Sequence, residues 1–78
     1  MIVDFYEREG CHLCEEALEI VMAECQAAGA TLRRHDITTD EGLQQRYGEF
    51  IPVVVIDDVQ HSTWFVDAER LRNALQGS

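Results

Sequence analysis

The chain has 78 residues, 46% of them hydrophobic and 27% charged, the balance of an ordinary globular protein and the length of one small domain whose every element must pack. No apolar run approaches the roughly 20 residues of a membrane span, and Met1-Ile2-Val3-Asp4-Phe5-Tyr6 lacks the basic start, apolar stretch and cleavage site of a secretory signal, so a cytoplasmic location is expected. Six basic against fifteen acidic side chains give a net charge of −9, which repels phosphate backbones and anionic lipid and argues against nucleic acid and membrane as partners; the excess serves solubility or, alternatively, attraction to a basic protein surface.

Ile2 to Tyr6 reads as a strand and Glu7-Arg8-Glu9-Gly10 as a loop. From Cys11 to about Ala28 the apolar positions Cys14, Leu18, Val21, Cys25 and Ala28 recur at intervals of four, three, four and three, a helical stripe that Gly29 is expected to terminate. Thr31 to Ile37 gives a second strand, less apolar, carrying Arg33, Arg34 and His35. Thr38-Thr39-Asp40-Glu41 fits a capping box, with the hydroxyl of Thr38 at the cap and Glu41 three places on, opening a short helix that ends at Gly48. Pro52 precedes Val53-Val54-Val55-Ile56, whose β-branching predicts a buried central strand. Asp57-Asp58 supplies a turn into a strand from about Gln60 to Phe65. Asp67 then caps a last helix with Leu71 and Leu75 on one face and Gly77 beyond its end. The order β-α-β-α-β-β-α predicts one α/β domain over residues 1–78. Its first crossover makes a parallel pair, the Asp57-Asp58 turn makes an antiparallel one, and a mixed four-stranded sheet flanked by helices results.

Cys11-His12-Leu13-Cys14 lies between the first strand and the long helix. Two thiols at this spacing on a first helical turn can close into one small disulfide ring, and the helix N-terminus favours a thiolate on the exposed sulfur. The same spacing is half of a zinc site, so spacing alone leaves both readings open. Three cysteines with one close pair are a poor framework for a secreted disulfide scaffold and a better fit to a catalytic or metal pair in a reducing compartment. Cys25, about 16 Å along the helix from Cys14, is too far to reach Cys11 and reads as a buried structural thiol. His35 and His61, in or near strands, read as satisfied or exposed side chains, and Trp64 and Phe65 as filling between the sheet and the last helix or, alternatively, with one of the two rings turned toward a substrate groove.

With Tyr6-Glu7-Arg8-Glu9-Gly10-Cys11-His12-Leu13-Cys14 on a strand-loop-helix and Ile51-Pro52 ahead of an apolar strand, the chain resembles the glutaredoxins, and more closely the short bacterial glutaredoxin-like proteins. The resemblance covers essentially the whole chain and implies a thioredoxin-like fold. It implies Cys11 as the nucleophilic cysteine and Cys14 as the resolving one. It implies Arg8, three residues before Cys11, as a basic residue that helps hold a glutathione carboxylate or the thiolate. Pro52 is implied to be a cis proline facing the cysteine pair, and Ile51 the residue whose backbone pairs with an incoming peptide or glutathione. The chain departs from the family in two places. His12-Leu13 stands where glutaredoxins usually have Pro-Tyr, and the Gly-Gly-x-Asp-like segment that cradles glutathione is replaced by His61-Ser62-Thr63-Trp64-Phe65-Val66-Asp67, in which only Asp67 corresponds.

The expected function is that of a thiol–disulfide oxidoreductase, in which Cys11 attacks a disulfide and Cys14 resolves the mixed disulfide. The helix end, Arg8 and a protonated His12 promote the thiolate, whereas Glu7, Glu9, Glu15 and Glu16 oppose it; screening of the exposed carboxylates leaves the nearer N–H groups dominant. Protein or glutathione disulfides are the expected partners, with glutathione as substrate or reductant, no bound cofactor, no metal and a monomer as the working unit. Two alternatives stay open. One is an iron–sulfur cluster or other metal held across a dimer, since a single chain lacks a second Cys/His pair for a four-ligand site. The other is a non-catalytic thioredoxin-fold module that binds another protein, since the glutathione-cradling residues are missing.

Overall fold

The computed structural model describes residues 1–76. The β-branched and aromatic run at the start forms strand β1 (Ile2–Glu7), which buries Val3 and Phe5 on one face and places Asp4 and Tyr6 on the other, as strand alternation requires. Helix α1 (His12–Ala28) follows and turns Cys14, Ala17, Val21 and Cys25 inward. It stops where expected: Gly29 adopts φ 70°, which lets the Ala30 N–H reach the Cys25 carbonyl at 2.9 Å and the Gly29 N–H reach that of Gln26 at 3.3 Å, a Schellman closure. Strand β2 (Thr31–Asp36) then lies parallel to β1, with Ile2 opposite Thr31 and Glu7 opposite Asp36.

The segment after β2 departs from the expected capping box. The strand ends at Asp36 rather than Ile37 because the Asp36 carboxylate accepts the Thr38 N–H at 2.9 Å and also the Thr38 hydroxyl, bending Ile37–Thr39 into a 3₁₀ turn that buries Ile37. With Thr38 so engaged, Asp40 becomes the cap of helix α2 (Glu41–Tyr47), its carboxylate accepting the Leu43 N–H at 3.1 Å. Glu41 is thus the first residue of the helix and not its capping-box partner.

Strands β3 (Val53–Ile56) and β4 (Val59–Thr63) form a hairpin whose two loop residues, Asp57 and Asp58, both take positive φ, 47° and 68°. This is the backbone twist that joins two adjacent strands by a two-residue turn. The register shifts between Val54, opposite Ser62, and Val55, opposite Gln60, so His61 is the extra residue of a bulge. The last strand runs from Val59 to Thr63 rather than from Gln60 to Phe65, because Trp64 takes φ 64° and leaves the ladder. Asp67 caps helix α3 (Ala68–Gln76) through the Arg70 N–H at 3.1 Å, and Leu71 and Leu75 are buried as expected. The expected terminator Gly77 lies outside the described residues.

The sheet order is β2-β1-β3-β4, with β1 parallel to β2 and antiparallel to β3, and β3 antiparallel to β4. One face packs Val3, Phe5 and Val54 against Ala17, Val21, Cys25, Leu71 and Leu75 from α1 and α3. The other packs Val53 and Val55 against Ile37 and Tyr47 from the 3₁₀ turn and α2, and Cys14 and Ile51 join this second cluster. The mixed sheet and the order β-α-β-α-β-β-α are as the sequence predicts. No helix among the described residues is long and apolar enough to cross a membrane.

Candidate active site

The parallel β1–α1–β2 crossover delivers Cys11 to the N-cap of α1, in extended backbone at φ −96° and ψ 112°. Its Sγ accepts the Cys14 N–H at 3.2 Å, the place a serine or aspartate oxygen takes in an ordinary cap. A backbone donor and the positive end of a helix of 17 residues therefore both face this sulfur. Cys14, one turn on, is only 2% exposed. Burial, reinforced by its hydrogen bond with Cys11 and opposed by one from the Arg8 backbone, pushes its thiol up to about 12. All three cysteines are free thiols, and the pair is asymmetric: Cys11 partly accessible, Cys14 buried and protonated at neutral pH.

Ile51 and Pro52, joined by a cis peptide bond, are both buried, and Ile51 packs in the same cluster as Cys14, with Cys11 at its edge. Arg8 is exposed and lines, with Cys11 and Cys14, a cleft of about 340 Å³. His12 stands apart, 97% exposed and paired with Glu15 at 3.6 Å on the solvent side of α1. Structure thus brings Cys11, Cys14, Arg8 and Ile51-Pro52 to one end of the sheet and turns the His12 ring outward.

The cleft is dominated by carboxylates. Glu7, Glu9, Glu15 and Asp36 line it against Arg8 and Arg34, and Arg34 is already held by Glu7 through two bonds of 2.7 and 3.0 Å. On the opposite flank of α1 a smaller hollow of about 70 Å³ is formed by Leu13, Ala17, Ile20, Trp64, Phe65 and Val66, with Glu16 at its rim. Trp64 and Phe65 do not fill the space under α3 as expected: they are 46% and 72% exposed. The left-handed backbone at Trp64 takes the chain out of the strand ladder, and Trp64 lies beside the Ile51-Pro52 segment. There the Trp64 N–H donates to the carbonyls of Phe50 at 3.1 Å and Pro52 at 2.9 Å, its indole N–H donates to the Glu49 carbonyl at 2.9 Å, and its ring tilts over Phe50 at 5.8 Å. Sequence reasoning left open one ring facing a groove and missed that both are exposed. The one signal was the adjacent apolar pair Trp64-Phe65 at the end of a strand, where alternation allows only one of two neighbours to face the core.

Behind the site a second polar group is organised by β1 and β2. Asp4, 4% exposed, accepts two bonds from Arg33 at 2.7 and 3.0 Å and lies 2.7 Å from His35 Nε2. The Arg33 guanidinium, helped by His35 and opposed by burial, holds the Asp4 carboxyl below its usual range. Tyr6 is stacked between the rings of His35 and Tyr47, at 4.7 and 4.2 Å, and burial raises its hydroxyl above the ordinary tyrosine value. Among the described residues no three His, Cys, Asp or Glu side chains are grouped to hold a metal ion.

Residues 2–76 match the family described as Glutaredoxin-like domain (DUF836). Similar proteins include the uncharacterized protein Rv0508 of Mycobacterium tuberculosis, 32% identical over 75 residues that cover 90% of this chain and 77% of that one. Among solved structures, the X-ray structure of the structural-genomics target XcR50 from X. campestris is 32% identical with a TM-score of 0.79 and covers 97% of both chains. A mutant thioredoxin from Halobacterium salinarum, 17% identical, superposes with a TM-score of 0.74 over 97% of this chain and 72% of that one.

Proposed function

Because the chain belongs to the glutaredoxin-like domain family (DUF836) and has a thioredoxin-like fold, we propose that it is a dithiol–disulfide oxidoreductase acting through Cys11 and Cys14. The observation that carries this reading is the asymmetric pair itself: an accessible sulfur at the cap of α1, one hydrogen bond from the residue that bears a buried, protonated thiol. In the reaction the Cys11 thiolate attacks one sulfur of a substrate disulfide. That S–S bond breaks, a mixed disulfide forms on Cys11, and the leaving sulfur takes up a proton. Cys14 then loses its proton and attacks the Cys11 sulfur, which expels the second substrate sulfur as a thiol. The substrate has gained two electrons and two protons, and the protein holds a Cys11–Cys14 disulfide that an external thiol or dithiol must reduce. The high proton affinity of Cys14 keeps it from competing as the first nucleophile, and it yields its proton once the mixed disulfide has formed.

The proposed substrate is a protein disulfide rather than glutathione disulfide. Two backbone donors of the segment aligned with the glutathione cradle are committed internally: the Trp64 N–H to Phe50 and Pro52, and the Phe65 N–H to the Thr63 carbonyl at 2.7 Å. Anionic glutathione would also meet the carboxylates of the cleft. A reducing compartment such as the cytoplasm is the setting in which such a dithiol would be kept reduced.

The test is reduction of insulin and of a peptide mixed disulfide with dithiothreitol as electron donor. Wild-type protein is expected to accelerate both. Cys11→Ser should abolish turnover, and Cys14→Ser should abolish it while accumulating a mixed disulfide on Cys11 visible by intact mass. Failure of the wild-type protein to reduce either substrate would overturn the reading.

A further inference from the structure

The cysteine pair sits on a seam between two surfaces of opposite chemistry, one on each flank of the first two turns of α1. On one flank the cleft presents Glu9, Glu15 and Asp36 against Arg8, with Glu7 already neutralised by Arg34. On the other, Leu13, Trp64 and Phe65 offer an apolar surface beside Phe50. The aromatic surface is built and held. Trp64 keeps a left-handed backbone that glycine would adopt without strain, and three hydrogen bonds from its two N–H groups fix the ring beside Ile51-Pro52. A strained aromatic kept exposed beside the Ile51-Pro52 segment, which itself packs with Cys14, points to an apolar ligand group.

One ligand must reach both flanks. An α-helix with its side chains is about 10 Å across, the span of about three extended residues, so a polypeptide fits and a single small thiol does not. The carboxylates of the cleft, within a chain of net charge −9, fix the sign of the other arm. Resting on the oxidoreductase reading, we propose that the substrate is an extended polypeptide whose disulfide-bonded cysteine has an apolar side chain on one side, seated on Leu13, Trp64 and Phe65, and a basic side chain on the other, seated in the cleft with Glu9 and Glu15.

Trp64 is the single tryptophan, so its fluorescence reports occupancy without any redox step. The probes are two hexapeptides free of tryptophan in which serine replaces the cysteine. One has arginine and leucine on either side of the serine, the other glutamate and glycine. Wild-type protein is expected to bind the first at least tenfold more tightly. Phe65→Ala and Glu15→Gln should each weaken it several-fold, while Asp58→Asn, in the turn at the far end of the sheet, leaves it unchanged although it removes the same unit of charge. Equal affinity for the two peptides, or equal weakening by Asp58→Asn and Glu15→Gln, would overturn the proposal. The cysteine forms of the same peptides, disulfide-linked and assayed for kcat/KM, separate the two readings. Selective binding without reduction defeats the oxidoreductase reading and keeps the docking surface; reduction of both peptides at equal kcat/KM defeats the docking surface and keeps the oxidoreductase.

Discussion

Cys14 and Trp64 are each set in a local state that the rest of the fold imposes, a thiol held protonated and a left-handed backbone, and each yields a prediction. Burial raises the Cys14 thiol from an ordinary value of 9.0 to about 12. In the folded protein it therefore stays protonated where the unfolded chain has already ionised. The contribution is fully present below pH 9 and is lost as pH rises from 9 towards 12. Reduced wild-type protein should thus lose Tm above pH 9 faster than Cys14→Ala, so that any advantage of the wild type at neutral pH narrows by pH 10.5; thermal melts under a reductant check this. At Trp64 the left-handed backbone costs about 1–2 kcal/mol, which Trp64→Gly relieves at the expense of about 0.5–1 kcal/mol of extra chain entropy and one net hydrogen bond of about 1 kcal/mol. Tm should change by no more than a few degrees, measured by circular dichroism, although the exposed ring is gone. The cysteine pair was legible in the sequence because its spacing is a local signal. Trp64 was not, because its place depends on a backbone angle and on the carbonyls of Glu49, Phe50 and Pro52, which no local pattern records.

Helices and strands were legible where one signal acted alone. The apolar stripe of α1 ran uninterrupted to Gly29, and the β-branched run of β3 had no competing period. The entry to α2 was misread because Asp36, Thr38 and Asp40 compete for the same donors: Asp36 takes Thr38, leaving Asp40 to cap the helix. The charge in β1 is a related case. Asp4 occupies a position on the α2 face of a central strand, which is tolerable only because β2, in parallel register, brings Arg33 and His35 across to it. Since Arg33 holds its carboxyl below the ordinary value of 3.8, this contribution to stability is present above that pH and is lost as pH falls through the lowered value. Asp4→Asn removes the charge but keeps the shape. It should cost about 1–3 kcal/mol at neutral pH, on the order of 10 °C in Tm for a domain of this size. The gap between variant and wild type should shrink between pH 4 and pH 2; a gap that is constant with pH would show that the pair contributes nothing through its charge.

At the scale of the whole molecule the topology followed from connection lengths. A helix between β1 and β2 forces them parallel, and a two-residue turn forces β3 and β4 antiparallel. The pairing of β1 with β3 completes the order β2-β1-β3-β4 and carries Ile51-Pro52 to the end of the sheet where Cys11 caps α1. The fold gathers one cap, one buried thiol and one proline segment, the groups of the proposed chemistry, at a common edge, while Cys25, 3% exposed, is buried in the separate core between α1 and the sheet. The most direct measurement is therefore a titration of the protein against a thiol–disulfide buffer of varied potential, with thiols counted by alkylation and mass spectrometry. The account predicts one two-electron transition, with a slope of about 30 mV per tenfold change in the ratio of forms, that joins Cys11 to Cys14 and leaves Cys25 alkylated throughout. Formation of no intramolecular disulfide, or of one that involves Cys25, would contradict it.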